Sequence, residues 1–175
     1  MNFESIAKKA RAEGRSILSE IEAKELLHEA GVVVARTVLT TTVEEAITQA
    51  EELGYPVVLK IVSPDVSHKT EIGGVRLGLD DADAVIREAR DLERVMAGHT
   101  LTGFLVQEMV DGLEMIVGVR DDPQFGPLIL VGLGGVFVEL LRDVSIRLAP
   151  VDEEEARVML AGLRGAKALG EFRGR

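Results

Sequence analysis

With 46% hydrophobic residues among 175, the chain carries enough apolar material for one cored domain or for two small lobes sharing a cleft, and too much for a disordered segment. Its 30 acidic and 20 basic residues leave a formal charge of −10 with no dense basic block, which argues against nucleic acid but not against nucleotides, since a few local cations and backbone donors hold a phosphate. The absence of cysteine excludes disulfides, thiolate nucleophiles and cysteine-held metals. No apolar run approaches the roughly 20 residues of a membrane span, the opening MNFESIAKKARAEGRS lacks the apolar core of a signal peptide, and cytoplasmic residence is the expectation.

In chain order, residues 1–17 predict a short amphipathic helix with Ile6, Ala7 and Ala10, ending near Gly14. Ser19 with Glu22 forms a capping box, in which each side chain satisfies the other's free backbone N–H. The helix it opens puts Ala23, Leu26, Leu27 and Ala30 on one face and stops at Gly31. Val32 to Leu39 reads as a strand. Thr42 with Glu45 makes a second box, for a helix burying Val43, Ala46, Ile47, Ala50 and Leu53 before Gly54.

Val57 to Val62 is an apolar run too short for a helix, interrupted only by Lys60. A polar loop with Ser63, Pro64, Ser67, His68, Lys69 and Thr70 follows, closes on Gly73-Gly74 and leads into a second strand, Val75 to Leu79. Glycine N–H groups and a lysine in a strand–loop–strand unit suit a nucleotide's phosphates; a plain hairpin with a snorkelling lysine fits the same residues. Asp80 or Asp81 caps a helix with Val85, Ala89, Leu92 and Met96 facing inward. From Leu101 the pattern turns to strands: LTGFLVQEMV, EMIVGVR and PLILVGLGG, the last two joined at Asp121-Asp122-Pro123, then GVFVELL and SIRLAPV. Asp152 with Glu155 gives a third box, for a helix with Ala156, Met159, Leu160 and Leu163 that ends at Gly165. Helices around a small sheet followed by adjacent strands predict an α+β fold with antiparallel sheets, and neither GxGxxG nor GxxxxGK[ST] occurs to support a Rossmann or P-loop reading.

The stretches EGRSILSEIEAKELLHEAGV, PVVLKIVSPDVSHKTEIGGV, VQEMVDGLEMIVGVRDDPQFGPLILVGLGGVFVELLRDVSIRLAP and EFRGR together resemble an ATP-grasp domain. More narrowly, they resemble the β subunit, or fused β-like domain, of ADP-forming acyl-CoA synthetases (acetate–CoA ligase, ADP-forming). The resemblance implies two small α+β lobes clamping ATP or ADP between antiparallel sheets, the smaller over residues 32–100, the larger over 101–175, with N-terminal helices 1–31 packed on it. It implies a ligase that interconverts acyl-CoA, ADP and phosphate with a carboxylic acid, CoA and ATP. The CoA and acyl chemistry then falls to an α-type CoA-binding subunit or domain.

By the same resemblance Lys60 meets the phosphates, Gly73 and Gly74 form the mobile loop over them, and Gln107, Glu108 and Val110 lie on the hinge strand at the adenine. Glu114 is expected at the ribose, and His68 is the histidine that relays the phosphoryl group. Lys69 beside His68 favours neutral imidazole, the nucleophilic form, while His28 and His99 have no such setting and read as surface residues. Glu139 and Asp143 are candidate Mg²⁺ or partner-facing carboxylates, with plain solvated charge as the alternative; the principal metal ligands of the family are expected beyond Arg175, and Arg147 is a weaker candidate for phosphates. Two competing readings fit the same residues: a nucleotide-binding or regulatory module without turnover, and an ATP-grasp ligase using an acyl-phosphate, which has no need of a loop histidine. Lys60 could find a carboxylate, Glu108 and Glu114 could lie on the wet face of a sheet, and Gly132, Gly134 and Gly135 could serve close strand packing.

Overall fold

The computed structural model describes residues 3–66, 69–135 and 143–170, and the chain divides by contact into two compact units, Met1–Val110 and Asp111–Arg175. Among the described residues no helix is long and apolar enough to cross a membrane.

The first unit runs α1 (Phe3–Ala12), α2 (Glu20–Glu29), β1 (Thr37–Thr40), α3 (Val43–Leu53), β2 (Val57–Val62), β3 (Val75–Leu79), α4 (Ala82–Val95) and β4 (Gly103–Glu108). Its four strands form one antiparallel sheet in the order β1-β4-β2-β3. Because side chains alternate across a strand, the sheet has two different faces. Val57, Leu59, Ile61, Leu79, Phe104 and Val106 turn to one side and form the core with α3 and α4. The 3.6-residue period of α4 supplies Val85, Ala89, Leu92 and Met96 to that core, while the small Ala46 and Ala50 let α3 come close to the sheet.

The opposite face follows from register. Thr37 pairs with Gln107, Gln107 with Val58, and Lys60 with Leu105, so these side chains share one surface. Val58 and Leu105 are buried on it, whereas Lys60 and Gln107 are only half-buried. The sheet thus places a lysine and an amide side by side on a largely apolar floor.

The helix caps are close to expectation. Ser19 Oγ accepts from Glu22 N at 3.3 Å and Glu22 Oε2 accepts from Ser19 N at 2.8 Å, a complete capping box. Arg15 then grips Glu22 with contacts of 2.9 and 2.8 Å. That guanidinium, helped by the Ser19 N–H, holds the Glu22 carboxyl down to about 2, so the first turn of α2 stays anchored well into acid. At α3 only half the box forms: Thr42 caps Glu45 N, but the Glu45 carboxylate bonds the N–H and hydroxyl of Thr41 instead. Asp81, and not Asp80, caps α4.

Three expectations are corrected in this unit. The strand predicted over Val32–Leu39 is reduced to β1, and Val33 is 96% exposed. Among the described residues β1 is an edge strand that pairs only with β4, and the ladder's last bond on that side runs from Glu108 N to Arg36 O. Helix α2 has no fully buried residue, and Leu27 and Ala30 of its predicted inner face are exposed. Finally, a division at residue 101 assigns β4 to the second lobe, but β4 lies between β1 and β2, and the boundary between units falls after Val110.

The second unit contains β5 (Met115–Asp122), β6 (Gly126–Leu133), β7 (Val144–Leu148), α5 (Glu153–Ala161) and a 3-10 turn over Ala166–Leu169, with the strands antiparallel in chain order. The β5–β6 turn sits at Pro123–Phe125, slightly later than predicted, because Asp122 Oδ1 accepts from Gln124 N at 2.9 Å and Phe125 N at 3.1 Å. Asp152 caps α5 through Glu155 N, while the Glu155 carboxylate lies 3.3 Å from Arg147 Nε. The helix stops at Gly162, short of the predicted Gly165, with Met159 and Leu163 buried. Apart from Gly135, the segment predicted as GVFVELL lies outside the described residues.

Candidate functional site

Lys60 rises from the half-buried face of the first unit's sheet into a cluster that the sequence did not announce. Its Nζ stands 2.7 Å from Glu20 Oε1 and 2.9 Å from Gln107 Oε1. Lys24, one helical turn after Glu20, donates to the same Gln107 oxygen at 2.7 Å and to Thr37 Oγ1 at 2.6 Å, and lies 3.3 Å from Glu20. Lys69, from the loop after β2, reaches Glu20 Oε2 at 3.4 Å. Three ammonium groups therefore gather on one carboxylate, with all four side chains between 19 and 25% exposed. Burial pushes the Glu20 carboxyl up, but the hydrogen bond from Lys60 and the charges of Lys60, Lys24 and Lys69 outweigh it and hold it below its ordinary value. Burial pulls the Lys24 ammonium down, and the like charge of Lys60 adds to that against the opposing pull of Glu20.

The glycine turn beside the cluster is closed on itself. Gly73 N donates to Thr70 O at 3.0 Å and Gly74 N to Lys69 O at 2.6 Å, so both N–H groups are engaged inside the turn. A Cβ at Gly74 would stand 2.6 Å from Ile61 Cδ1 and 2.9 Å from the Lys69 carbonyl oxygen, which is why glycine is needed there. Arg76 holds the Gly73 carbonyl while its guanidinium is gripped by Glu88 at 2.8 Å and Asp91 at 2.7 Å on α4.

Gln107 is brought to Lys60, but Glu108, next along β4, is engaged by Arg36: its carboxylate accepts from Arg36 N at 2.8 Å and Arg36 Nε at 2.6 Å. Those contacts, the backbone N–H foremost, lower its carboxyl. Val110 is 66% exposed. In the second unit Glu114 is exposed on the approach to β5, wrapped by glycine backbone: Gly134 N donates to Glu114 O at 2.6 Å, and a Cβ at Gly135 would lie 2.7 Å from Glu114 Oε2. Gly132 packs equally closely, a Cβ there falling 2.7 Å from Asp143 O.

Asp143 does not fit the metal role. It is 5% exposed, and its two carboxylate oxygens accept from Arg164 N and Gly165 N, each at 2.8 Å, which draws its carboxyl below the ordinary range. Among the described residues no group of three or more acidic, histidine or cysteine side chains could hold a metal. His68 and Glu139 lie outside the described residues. His28 and His99 are exposed, and Arg147 pairs with Glu155.

Sequence reasoning missed Glu20, Lys24, Arg36 and Arg76. A signal did exist for the first two, since an i,i+4 Glu–Lys pair sits within the otherwise amphipathic α2. A shallow groove lined by Val38, Thr40, Glu44, Thr48 and Gln49 lies elsewhere on this unit and offers an anion no cation.

A family model of the ATP-grasp domain matches residues 9–175. The chain belongs to the ATP-grasp family. Within this family it is 40% identical over 178 residues to the β subunit of acetate–CoA ligase [ADP-forming] I of Pyrococcus furiosus, a match covering 97% of the chain and 75% of that subunit. It is 46% identical over 148 residues to acetate–CoA ligase [ADP-forming] I of Archaeoglobus fulgidus, spanning 82% of the chain but only 22% of that longer protein. The ATP-grasp chain is thus a homologue of ADP-forming acetate–CoA ligase β subunits.

Solved structures agree. The coenzyme A complex of ACD1 from Ca. Korarchaeum cryptofilum superposes with a TM-score of 0.89 at 44% identity, covering 98% of this chain and 76% of that one. A second structure, of the dinucleotide-forming acetyl-coenzyme A synthetase 1 from the same organism, contains coenzyme A and Mg-AMPPCP with a phosphohistidine segment pointing towards the nucleotide-binding site. It matches with a TM-score of 0.82 at 42% identity over 98% of this chain and 75% of that one. The α+β fold with two antiparallel sheets is an ATP-grasp fold.

Proposed function

We propose that this chain handles the nucleotide in an ADP-forming acyl-CoA synthetase, which interconverts acyl-CoA, ADP and phosphate with a carboxylic acid, CoA and ATP. The observation that carries the reading is the lysine cluster: half-buried ammonium groups gathered on one sheet face are a place where a phosphate chain replaces lost solvation with charge-assisted hydrogen bonds. Lys60 binds the phosphates, with Gln107 fixing its ammonium from below. The Gly73–Gly74 turn opens to release its N–H groups towards them. The β4 edge through Val110, with Glu108 steadied by Arg36, takes the adenine, and Glu114 takes the ribose.

His68 is the relay. An imidazole nitrogen attacks the γ-phosphorus of ATP, an N–P bond forms, the bond to the bridging β,γ-oxygen breaks and ADP leaves; the reverse step makes ATP from the phosphohistidine and ADP. The phosphohistidine segment described in the Korarchaeum relative supports this assignment. A magnesium nucleotide is bound in that relative, but no described residue of this chain is assigned to the metal. CoA and acyl chemistry belong to an α-type subunit, in keeping with the β-subunit relatives.

Calorimetric titration of ATP and ADP into the full chain tests the nucleotide assignment. Saturable binding of both, weakening as salt rises, is expected. A chain that binds neither at millimolar concentration is not a nucleotide-handling subunit.

A further inference from the structure

Arg76 is a half-buried cation that the nucleotide assignment leaves without a role. Across the β2–β3 ladder it pairs with Leu59, so the two side chains share a face, and that face is the one packed against α4. There Glu88 accepts from Arg76 Nε at 2.8 Å, and Asp91, about one turn further along α4, accepts from Nη2 at 2.7 Å. Arg87 lies 3.2 Å from Glu88 and Arg94 3.6 Å from Asp91, so neither carboxylate depends on Arg76 for its charge balance. The Nη1 group donates to main-chain oxygens, that of Gly73 and that of Val75, the latter at 3.2 Å. A rigid planar fork gripped by two carboxylates has little freedom, and it fixes the Gly73 carbonyl oxygen on the α4 side of the sheet.

The Gly73–Gly74 peptide is planar and trans, so its C=O and N–H point in opposite directions. Drawing the oxygen towards α4 turns the Gly74 N–H towards the opposite face, where Lys60 and Lys69 meet Glu20. In the closed turn that N–H rests on Lys69 O at 2.6 Å, while Gly74 O is tied into the sheet by Ile61 N at 3.0 Å. A peptide held at its own oxygen and at the next carbonyl can change the acceptor of its N–H without rotating. We infer that Arg76 is a positioning residue for phosphate binding, aiming the Gly74 N–H so that a phosphate oxygen takes the place of Lys69 O, with α4 as the support. This rests on the nucleotide-handling reading above and deepens it. Without Arg76 the plane lies between two glycines, the residues that resist rotation least. A carbonyl oxygen turned to the lysine face then repels a phosphate where an N–H would attract it.

The test follows amide exchange at Gly74 by NMR in the nucleotide-free full chain, and titrates ATP, ADP and adenosine, each below the melting temperature of the protein used. The proteins are the wild type, Arg76→Met, Arg76→Lys, Arg87→Met and a Glu88→Gln, Asp91→Asn double variant. In Arg76→Met the Gly74 N–H is expected to exchange about tenfold faster while the amides of Leu59 and Val106 in the buried strands keep their protection. The same variant binds ATP and ADP about fivefold more weakly, with adenosine unchanged. Arg76→Lys keeps the charge but cannot hold two carboxylates and a carbonyl together, and it recovers part of the loss. The double variant shifts both readouts the same way by a smaller amount, and Arg87→Met, which touches Glu88 but no carbonyl, matches the wild type. Wild-type ATP affinity in Arg76→Met, an equal loss for adenosine, or exchange that rises at Leu59 and Val106 as much as at Gly74 overturns the inference. A double variant identical to the wild type in both readouts overturns it too, because α4 is then no support. A wild type that binds neither ATP nor ADP brings down the nucleotide reading itself, whereas normal binding that is indifferent to Arg76→Met brings down this inference only.

Discussion

Replacing Lys60 by methionine lowers the affinity for ATP and ADP about 10–100-fold and leaves the fold standing, as titration and thermal melting of the same variant will show. The loss is that of a hydrogen bond between two charged groups at a partly dehydrated site, worth about 1.5–3 kcal/mol. The fold survives because methionine retraces the lysine stem over the buried Val58 and Leu105, and because Glu20 retains Lys24 and Lys69 as partners. If Lys60 served only as a structural ion pair, the melting temperature would fall and the affinity of the remaining folded protein would not. The two readings of this lysine therefore separate on one sample.

Replacing Asp143 by alanine lowers the melting temperature by roughly 5–10 °C, whether or not Mg²⁺ is present. The buried carboxylate ties the start of β7 to the segment after α5 by accepting from both Arg164 N and Gly165 N, and its removal leaves two part-buried backbone donors without that partner. Asparagine recovers only part of the loss, since it offers one acceptor oxygen where two are used. The carboxyl is depressed in the folded state, so the stabilisation is complete above the ordinary carboxylate pKa and fades as the pH falls through the lower folded value. Wild-type protein therefore loses stability in acid that Asp143→Ala has already lost, and the two melting curves converge there. A variant that melts like the wild type at neutral pH, or whose deficit appears only when Mg²⁺ is added, contradicts the structural role.

The parts legible in the sequence were those governed by local chemistry. Ser19 with Glu22, Asp81 and Asp152 all cap helices as their types dictate, and the apolar run around Lys60 could be little else than a strand. Where a side chain had a choice of partner, spacing did not decide. Glu45 turned to Thr41, and Val32–Val33 pair with no strand among the described residues. The candidate site was legible in the same uneven way. A lysine within an apolar strand invites an anion, so Lys60 stood out, but its partners come from 40 and 47 residues away along the chain. Glu20 and Lys24 looked like an ordinary surface pair on a helix until the sheet brought Lys60 beneath them. Asp143 misled for the converse reason: a lone acidic residue after a glycine-rich stretch resembles a metal ligand, and only the structure shows its oxygens already taken by backbone donors.

Transfer of a phosphoryl group from the bound nucleotide to the chain is read by incubating the purified chain with Mg²⁺ and γ-labelled ATP, then comparing acid-labile protein label in the wild type and in His68→Ala. The expected label is stable in base, lost in acid, discharged by ADP and missing from His68→Ala. A wild-type chain that binds ATP yet takes up no label, or label that persists in His68→Ala, would contradict that transfer.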